Sequence, residues 1–316
     1  MRILALDRPL DGALARALDR FEHRFSYPLG ATQRFHVLHG ADYSRFFRAM
    51  GEARCLVAEE GGDIVGSLAA VIRHIWLPDG TGLDVGYIGD LRVAPEARSG
   101  WTLIKLAGEA ASWVSRSAKA CFGVVMDGTP GTPDRYTGRA GIPTFDAIAK
   151  VSIARIPTSH ASGNADAAVT EVEARVASRC FRDLSAGRYA TPCANPAERS
   201  LSAPVWLKHL DGSACGCLED TLRAKRLILE DGAEMLSAHL SCFAYRDAGS
   251  GAALIRDALA RARRLEFPAL FVAVTAADAG PLLSEFEDSG VTLASATVFG
   301  KELVRNVDWN INTSEI

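Results

Sequence analysis

The 316 residues contain no apolar run near the ~20 that a membrane-spanning helix needs, which excludes a helical membrane protein. No leader is expected either. Only about five apolar residues precede Asp7, short of the ~7 to 15 of a signal peptide, so a cytoplasmic protein is expected. Neither charge sign dominates: 35 Lys plus Arg face 38 Asp plus Glu, a net charge of −3. Without a basic excess or a dense basic stripe, no nucleic-acid partner is expected. Lysine is scarce, and the cations are mostly arginine. The seven cysteines are scattered and odd in number, mostly within apolar runs, and read as reduced thiols filling small apolar spaces rather than as a disulfide framework. Cys215-Gly-Cys217 is the one close pair, with no second pair or His at ligand spacing, so no metal is expected. No Gly-Lys-Ser/Thr follows any glycine loop, which excludes a Walker-type phosphate site.

What is present is an ordinary globular composition, 48% hydrophobic and 23% charged, long enough for two domains. The halves repeat. Gly100 and Gly249 are 149 apart, and so are Thr102 and Gly251. Val125 and Val274 share that offset inside the apolar runs 122–126 and 270–274, and Gly141 and Gly290 follow. Upstream, Gly66-Ser-Leu68 matches Gly216-Cys-Leu218 at 150, and Asp79-Gly80 matches Asp231-Gly232 at 152. A single repeat of this length means duplicated domains, not a solenoid. The small, polar stretch 157–168 sets the boundary, giving domains 1–160 and 161–316, and the proline-rich stretch 187–204 reads as irregular surface.

Each half reads as antiparallel strands followed by strand, glycine loop, helix and strand. In the first, 34–38, 55–59, 64–77 and 85–93 are strands, 42–50 and 102–117 helices, 121–126 a strand, and 148–156 closes the half. In the second, 205–210 and 215–229 form an antiparallel unit, with a strand over 235–245, a helix marked by Leu254, Ala258, Ala262 and Leu265, a strand over 270–274, a helix over 282–288 and a strand over 293–303. The fold class is α/β with a mixed sheet (α+β). Glu219-Asp220 with Lys225-Arg226 reads as a charged surface, and Trp76, Trp101, Trp113 and Trp206 as packing residues.

The chemistry sits where the fourth strand meets the long helix. The first half has Pro95-Glu-Ala-Arg98-Ser-Gly100-Trp-Thr102, and the second Arg246-Asp-Ala-Gly249-Ser-Gly251. A glycine turn entering a helix exposes unpaired N–H groups at the positive end of the helix dipole, a setting suited to a pyrophosphate. The run Asp90-Leu-Arg-Val-Ala-Pro-Glu-Ala-Arg98, with its glycine loop and helix, resembles motif A of the GNAT N-acetyltransferase superfamily; Arg246-x-x-Gly249-x-Gly251 matches the second part of that motif. The resemblance covers roughly 33–156 and 187–304, two GNAT-like acyl-CoA acyltransferase domains in tandem.

The resemblance implies a V-shaped gap between the fourth and fifth strands that holds acetyl-CoA. The main chain of Leu91, Arg92 and Val93 would bind the pantetheine arm, and one of those N–H groups would polarise the thioester carbonyl. The pyrophosphate would lie on the loop of Arg98, Ser99, Gly100, Trp101 and Thr102, or on that of Arg246, Ala248, Gly249, Ser250 and Gly251. Tyr136 is placed to protonate the departing thiolate. Its counterpart, Phe286, cannot, which favours the first half as catalytic. Asp90 is the candidate general base, with Asp84 on the same strand and His239 on the equivalent strand of the second half, and water relay is an alternative. The implied activity is acyl-CoA-dependent N-acylation by direct attack in a ternary complex, with acetyl-CoA as donor. The acceptor would be a small-molecule amine, a peptide N-terminus or a lysine, and a homodimer stays open. Two other readings remain: a Fem-like aminoacyl transferase and a non-catalytic acyl-CoA or metabolite-binding protein.

Overall fold

The computed structural model describes residues 1–6, 9–10, 12–30, 33–98, 101–160 and 166–316. The first half runs β1 (Arg2–Ala5), α1 (Gly12–Glu22), β2 (Tyr27–Leu29), β3 (Gln33–Leu38), α2 (Tyr43–Arg48), β4 (Glu52–Glu60), β5 (Asp63–Trp76), β6 (Gly82–Val93), α3 (Thr102–Val114), β7 (Cys121–Met126), α4 (Pro133–Tyr136) and β8 (Asp146–Pro157). The second runs β9 (Val169–Glu171), α5 (Ala174–Leu184), β10 (Tyr189–Ala190), α6 (Pro196–Arg199), β11 (Val205–His209), β12 (Ala214–Glu219), β13 (Arg226–Leu229), β14 (Ala238–Tyr245), α7 (Ala248–Arg264), β15 (Ala269–Thr275), α8 (Ala279–Leu283), β16 (Thr292–Lys301) and β17 (Trp309–Asn310).

Local chemistry explains most of these elements. Gly61 and Gly62, at φ +62° and +92°, make the two-residue turn of the β4–β5 hairpin, which needs positive φ at both positions. Helix α1 buries Ala17, Leu18 and Phe21 on one face, and α3 buries Leu106, Ala110 and Val114. None of the seven cysteines forms a disulfide.

The strand order is β1-β4-β5-β6-β7-β16-β8-β15-β14-β12-β11-β9, with β10 and β17 attached beside β5. This order shows what the sequence did not. Strand β8 does not close its own half. It pairs with β15, while β16 crosses back to pair with β7, and β8 and β16 lie antiparallel in the middle. Each half thus donates its last strand to the other. Strand β13 leaves its neighbour β12 and joins β3 and β2 of the first half in a separate three-stranded sheet. The stretch 187–204 is not loose surface, since Tyr189, Thr191 and Arg199 are buried. Glu219, Asp220 and Lys225 are buried rather than solvated, and Trp101 is 70% exposed rather than packed.

Candidate functional site: an open gap and a filled one

The repeat is clearest at the strand that carries the site. Ala69 of β5 faces Gly89 of β6, but Ser67 faces Arg92, so β6 holds one extra residue. Cys217 of β12 faces Ser241 of β14, but Cys215 faces Ala244, the same bulge. Asp90 (φ +50°) and Cys242 (φ +47°) sit at matching places in the two bulges, in the left-handed region that side chains seldom occupy. A donor locks each carbonyl: Ser67 Oγ reaches Asp90 O at 2.8 Å, and Cys215 Sγ reaches Cys242 O at 4.0 Å. Ser67 therefore corresponds to Cys215, an offset of 148 rather than the 150 of the sequence match.

Beyond the parallel pairs Gly86–Cys121 and Tyr87–Phe122, β6 and β7 diverge. A Cβ on Gly123 would lie 2.6 Å from Ile88 O, so glycine is needed at the crossing point. Strands β14 and β15 diverge likewise after Leu240–Val272.

The second gap holds the chain's own last residues. Asn312 Oδ1 accepts the Cys242 N–H at 2.7 Å, Thr313 Oγ1 lies 2.9 Å from His239 Nδ1, and Ser314 Oγ lies 2.8 Å from Ser241 Oγ. Glu315 anchors this segment through Arg73 at 2.9 Å and Arg199 at 3.0 Å. The glycine loop of this half is equally engaged. Asp247 Oδ1 accepts the Ser250 N–H at 2.9 Å, filling the anion position at the start of α7. Arg246 precedes that cap, and Ala248 and Gly249 lie inside the first helical turn. Gly251 serves packing: a Cβ there would meet Leu282 at 2.7 Å and Tyr245 at 2.9 Å. Of the loop residues expected at the phosphate, Ser250 is thus engaged by an internal carboxylate cap and Gly251 by close helix packing.

The first gap opens into a cavity of about 620 Å³. Gly66 faces Thr102 and Leu106 of the α3 segment, while the next residue, Ser67, faces Asp90 on the opposite side. The cavity is lined from both faces: by Leu103, Ala107, Ala110 and Val114 of α3, and by Tyr27, Val37, His39 and Phe46 across the sheet. It therefore passes between the strands. Lys225, His239 and Phe271 of the second half also line it.

Asp90, Leu91 and Arg92 line this cavity, and Val93 has rejoined the ladder opposite Gly66. Ser99 and Gly100 lie outside the described residues. Arg98 Nε donates to Val93 O at 3.3 Å, and the Thr102 side chain packs against Gly66. Tyr136 lines the cavity wall; burial, helped by Asp134, pushes its phenol up to about 12, so it remains a proton donor at neutral pH. Asp90 is not a free base. Its carboxylate takes the Tyr43 hydroxyl and pairs with Arg92, and Ser67 Oγ lies 3.3 Å away. Protonating it would break those bonds. Asp84 pairs with His74 on the exposed part of β6, and His239 is a bonded interior histidine.

Several cavity groups were not read from the sequence. Glu22 Oε1 lies 2.6 Å from His39 Nδ1 and 3.8 Å from Arg92 Nη1. Lys225 Nζ donates to Ile316 O at 2.6 Å and Ser314 O at 3.3 Å; burial, together with Arg199, pushes its ammonium down to about 7. One signal was available. Glu22 follows Ala17, Leu18 and Phe21 on the apolar face of an amphipathic helix, where a carboxylate requires a partner.

No protein-family model and no curated protein matches the sequence. The fold does have likenesses. The structure is similar to that of Saccharomyces cerevisiae N-myristoyltransferase with bound myristoyl-CoA, at 10% identity and a TM-score of 0.63, over 95% of this chain and 82% of that one. It is also similar to a GCN5-related N-acetyltransferase from Anabaena variabilis, at 13% identity and a TM-score of 0.52, over 95% of this chain and 72% of that one. The fold is therefore that of the GNAT acyltransferases. Its particular form is two GNAT-like domains in tandem, as the sequence resemblance implied.

Proposed function

We propose that the chain is an acyl-CoA-dependent N-acyltransferase whose working site is the gap of the first half. The observation that carries this reading is the contrast between two equivalent gaps. One is occupied by the chain's own Asn312, Thr313 and Ser314, and the other is an apolar passage bordered by the same bulge, with Thr313 and Ile316 in its wall. The filled gap offers an internal stand-in. The Asn312 side-chain carbonyl sits on the Cys242 N–H as a thioester carbonyl would sit on the matching amide at Asp90. Such a donor contributes about 3 to 4 kcal/mol to a developing oxyanion.

Pantetheine then runs along Leu91 to Val93, and the pyrophosphate lies on 99–102 at the start of α3. The amine (a small molecule, a peptide N-terminus or a lysine) enters from the α1/α2 face, and Tyr136 supplies the proton for the CoA thiolate. Acetyl-CoA is the simplest donor. The passage is also roomy and apolar, and the similar yeast enzyme was crystallised with myristoyl-CoA. Each buried methylene adds about 0.8 kcal/mol, so chain length is measurable.

Titration calorimetry with acetyl-, octanoyl- and myristoyl-CoA tests the reading. One site per chain is expected, abolished by Ala111→Trp, which blocks the α3 wall. Binding of none of the three donors would overturn it. Binding without CoA release in the presence of amines would leave an acyl-CoA-binding protein.

A further inference from the structure

We propose that His39, oriented by Glu22, is the general base that deprotonates the acceptor amine; the proposal rests on the acyl-transfer reading above. Glu22 ends α1 and His39 directly follows β3. One carboxylate holds the histidine twice: Glu22 Oε2 accepts the His39 backbone N–H at 3.0 Å, and Oε1 lies 2.6 Å from Nδ1. Both side chains are 2% exposed. This contact places the ring proton on Nδ1 and leaves the lone pair on Nε2. The rings of Tyr43, Phe46 and Phe47 pack around the imidazole at centroid distances of 4.9, 5.2 and 5.4 Å, fixing its plane. No hydrogen bond occupies Nε2 among the described residues, and the ring lines the cavity. Donor atoms of Glu22, His39 and Asp90 lie within 4.8 Å of one another, which sets the imidazole beside the bulge.

Charge completes the case. Two carboxylates, Glu22 and Asp90, share one guanidinium, Arg92. With neutral imidazole, Glu22, Asp90 and Arg92 carry one net negative charge, a field that favours an approaching ammonium. Burial pushes the Tyr27 and Tyr43 phenols up, keeping them neutral; Lys225, with Nζ 4.6 Å from the Phe46 ring centroid, is the other cationic side chain whose field reaches Asp90. A metal reading of the three donors fails because Arg92 already pairs with both carboxylates.

In the reaction, the ammonium gives one proton to His39 Nε2. The neutral amine attacks the thioester carbon, the C–N bond forms and the C–S bond breaks. The second amine proton ends on the CoA sulfur, and His39 returns its proton to water.

The test compares wild type with His39→Gln and Glu22→Gln, using the donor selected by calorimetry and a panel of primary amines (glycinamide, spermidine, and glycine-initiated and lysine-containing peptides). Expected results are a 10²- to 10⁴-fold loss of kcat in His39→Gln with donor affinity kept within twofold, loss of the acid limb of its pH profile, and partial rescue of His39→Gly by imidazole. A folded His39→Gln that binds donor and keeps both rate and pH profile would overturn the proposal. If wild type binds no donor, the acyl-transfer reading fails instead. If donor binds but no amine is acylated, ¹⁵N spectra of the imidazole decide: an Nδ1–H tautomer that is lost or mixed in Glu22→Gln supports the dyad, and an Nε2–H tautomer refutes it.

Discussion

A residue with a side chain stays at positive φ only where its neighbours hold it there, and Asp90 has three such holds. Tyr43 donates to its carboxylate, Arg92 pairs with it, and Ser67 fixes its carbonyl. Asp90→Ala removes the anion and leaves Arg92 buried beside Glu22 alone. Urea unfolding should show a loss of about 3 to 5 kcal/mol, as for other broken buried pairs. Asp90→Asn keeps an acceptor and a tolerance for the left-handed region, so it should lose clearly less; equal losses would mean that the pair, not the bulge geometry, sets the cost. At this scale the sequence was readable in part. The motif around Asp90 to Val93 and the tyrosine at 136 were found, and the structure puts Asp90, Leu91, Arg92 and Tyr136 on the cavity wall. The partners of Asp90 were not readable, because Tyr43 and Ser67 come from other elements and no local period links them to it.

Among the elements, strands were easier to see than their neighbours. The period of 148–156 marks a strand, but alternation carries no information about which edge it joins, and β8 pairs with the other half. The charged run 219–226 misled for a related reason. Charge is usually solvated, yet here Arg199 and Glu219 form a fully buried pair, with Glu315 from the last segment beside them. That segment has a pH signature. Burial alone would raise the Glu315 carboxyl, but the guanidiniums of Arg73 and Arg199 outweigh it and hold the group below its usual 4.5. Its contribution is therefore complete above the unfolded value and disappears as pH falls through the lower folded value. The melting temperature should fall steadily below about pH 4.5, with the Asn312–Ile316 segment losing amide-exchange protection first. Glu315→Gln should melt lower at pH 7 and show a shallower acid decline. An acid decline unchanged in that variant would place the acid-sensitive group elsewhere.

For the molecule as a whole, the exchange of β8 and β16 makes each half incomplete without the other. The polypeptide 1–160 would carry β7 with one edge unpaired and β8 with none of its partners; the polypeptide 161–316 would leave β15 and β16 in the same state. Unpaired apolar strands seek other chains. Expressed alone, each should aggregate or self-associate. Expressed together they should form a one-to-one complex that recovers the near-ultraviolet dichroism of the full chain, as read by size-exclusion chromatography with light scattering. A monomeric, natively packed 1–160 would show that the exchanged strand is dispensable. The arrangement also accounts for a second copy whose own gap is filled. It still supplies β16 to the first half, and Lys225, His239 and Phe271 to the lining of its cavity. Substitutions that loosen the β8–β16 pairing, such as Ala294→Pro near the start of β16, should therefore weaken the acyl-CoA binding proposed for the first half and stability together, although Ala294 lies outside the lining of that cavity.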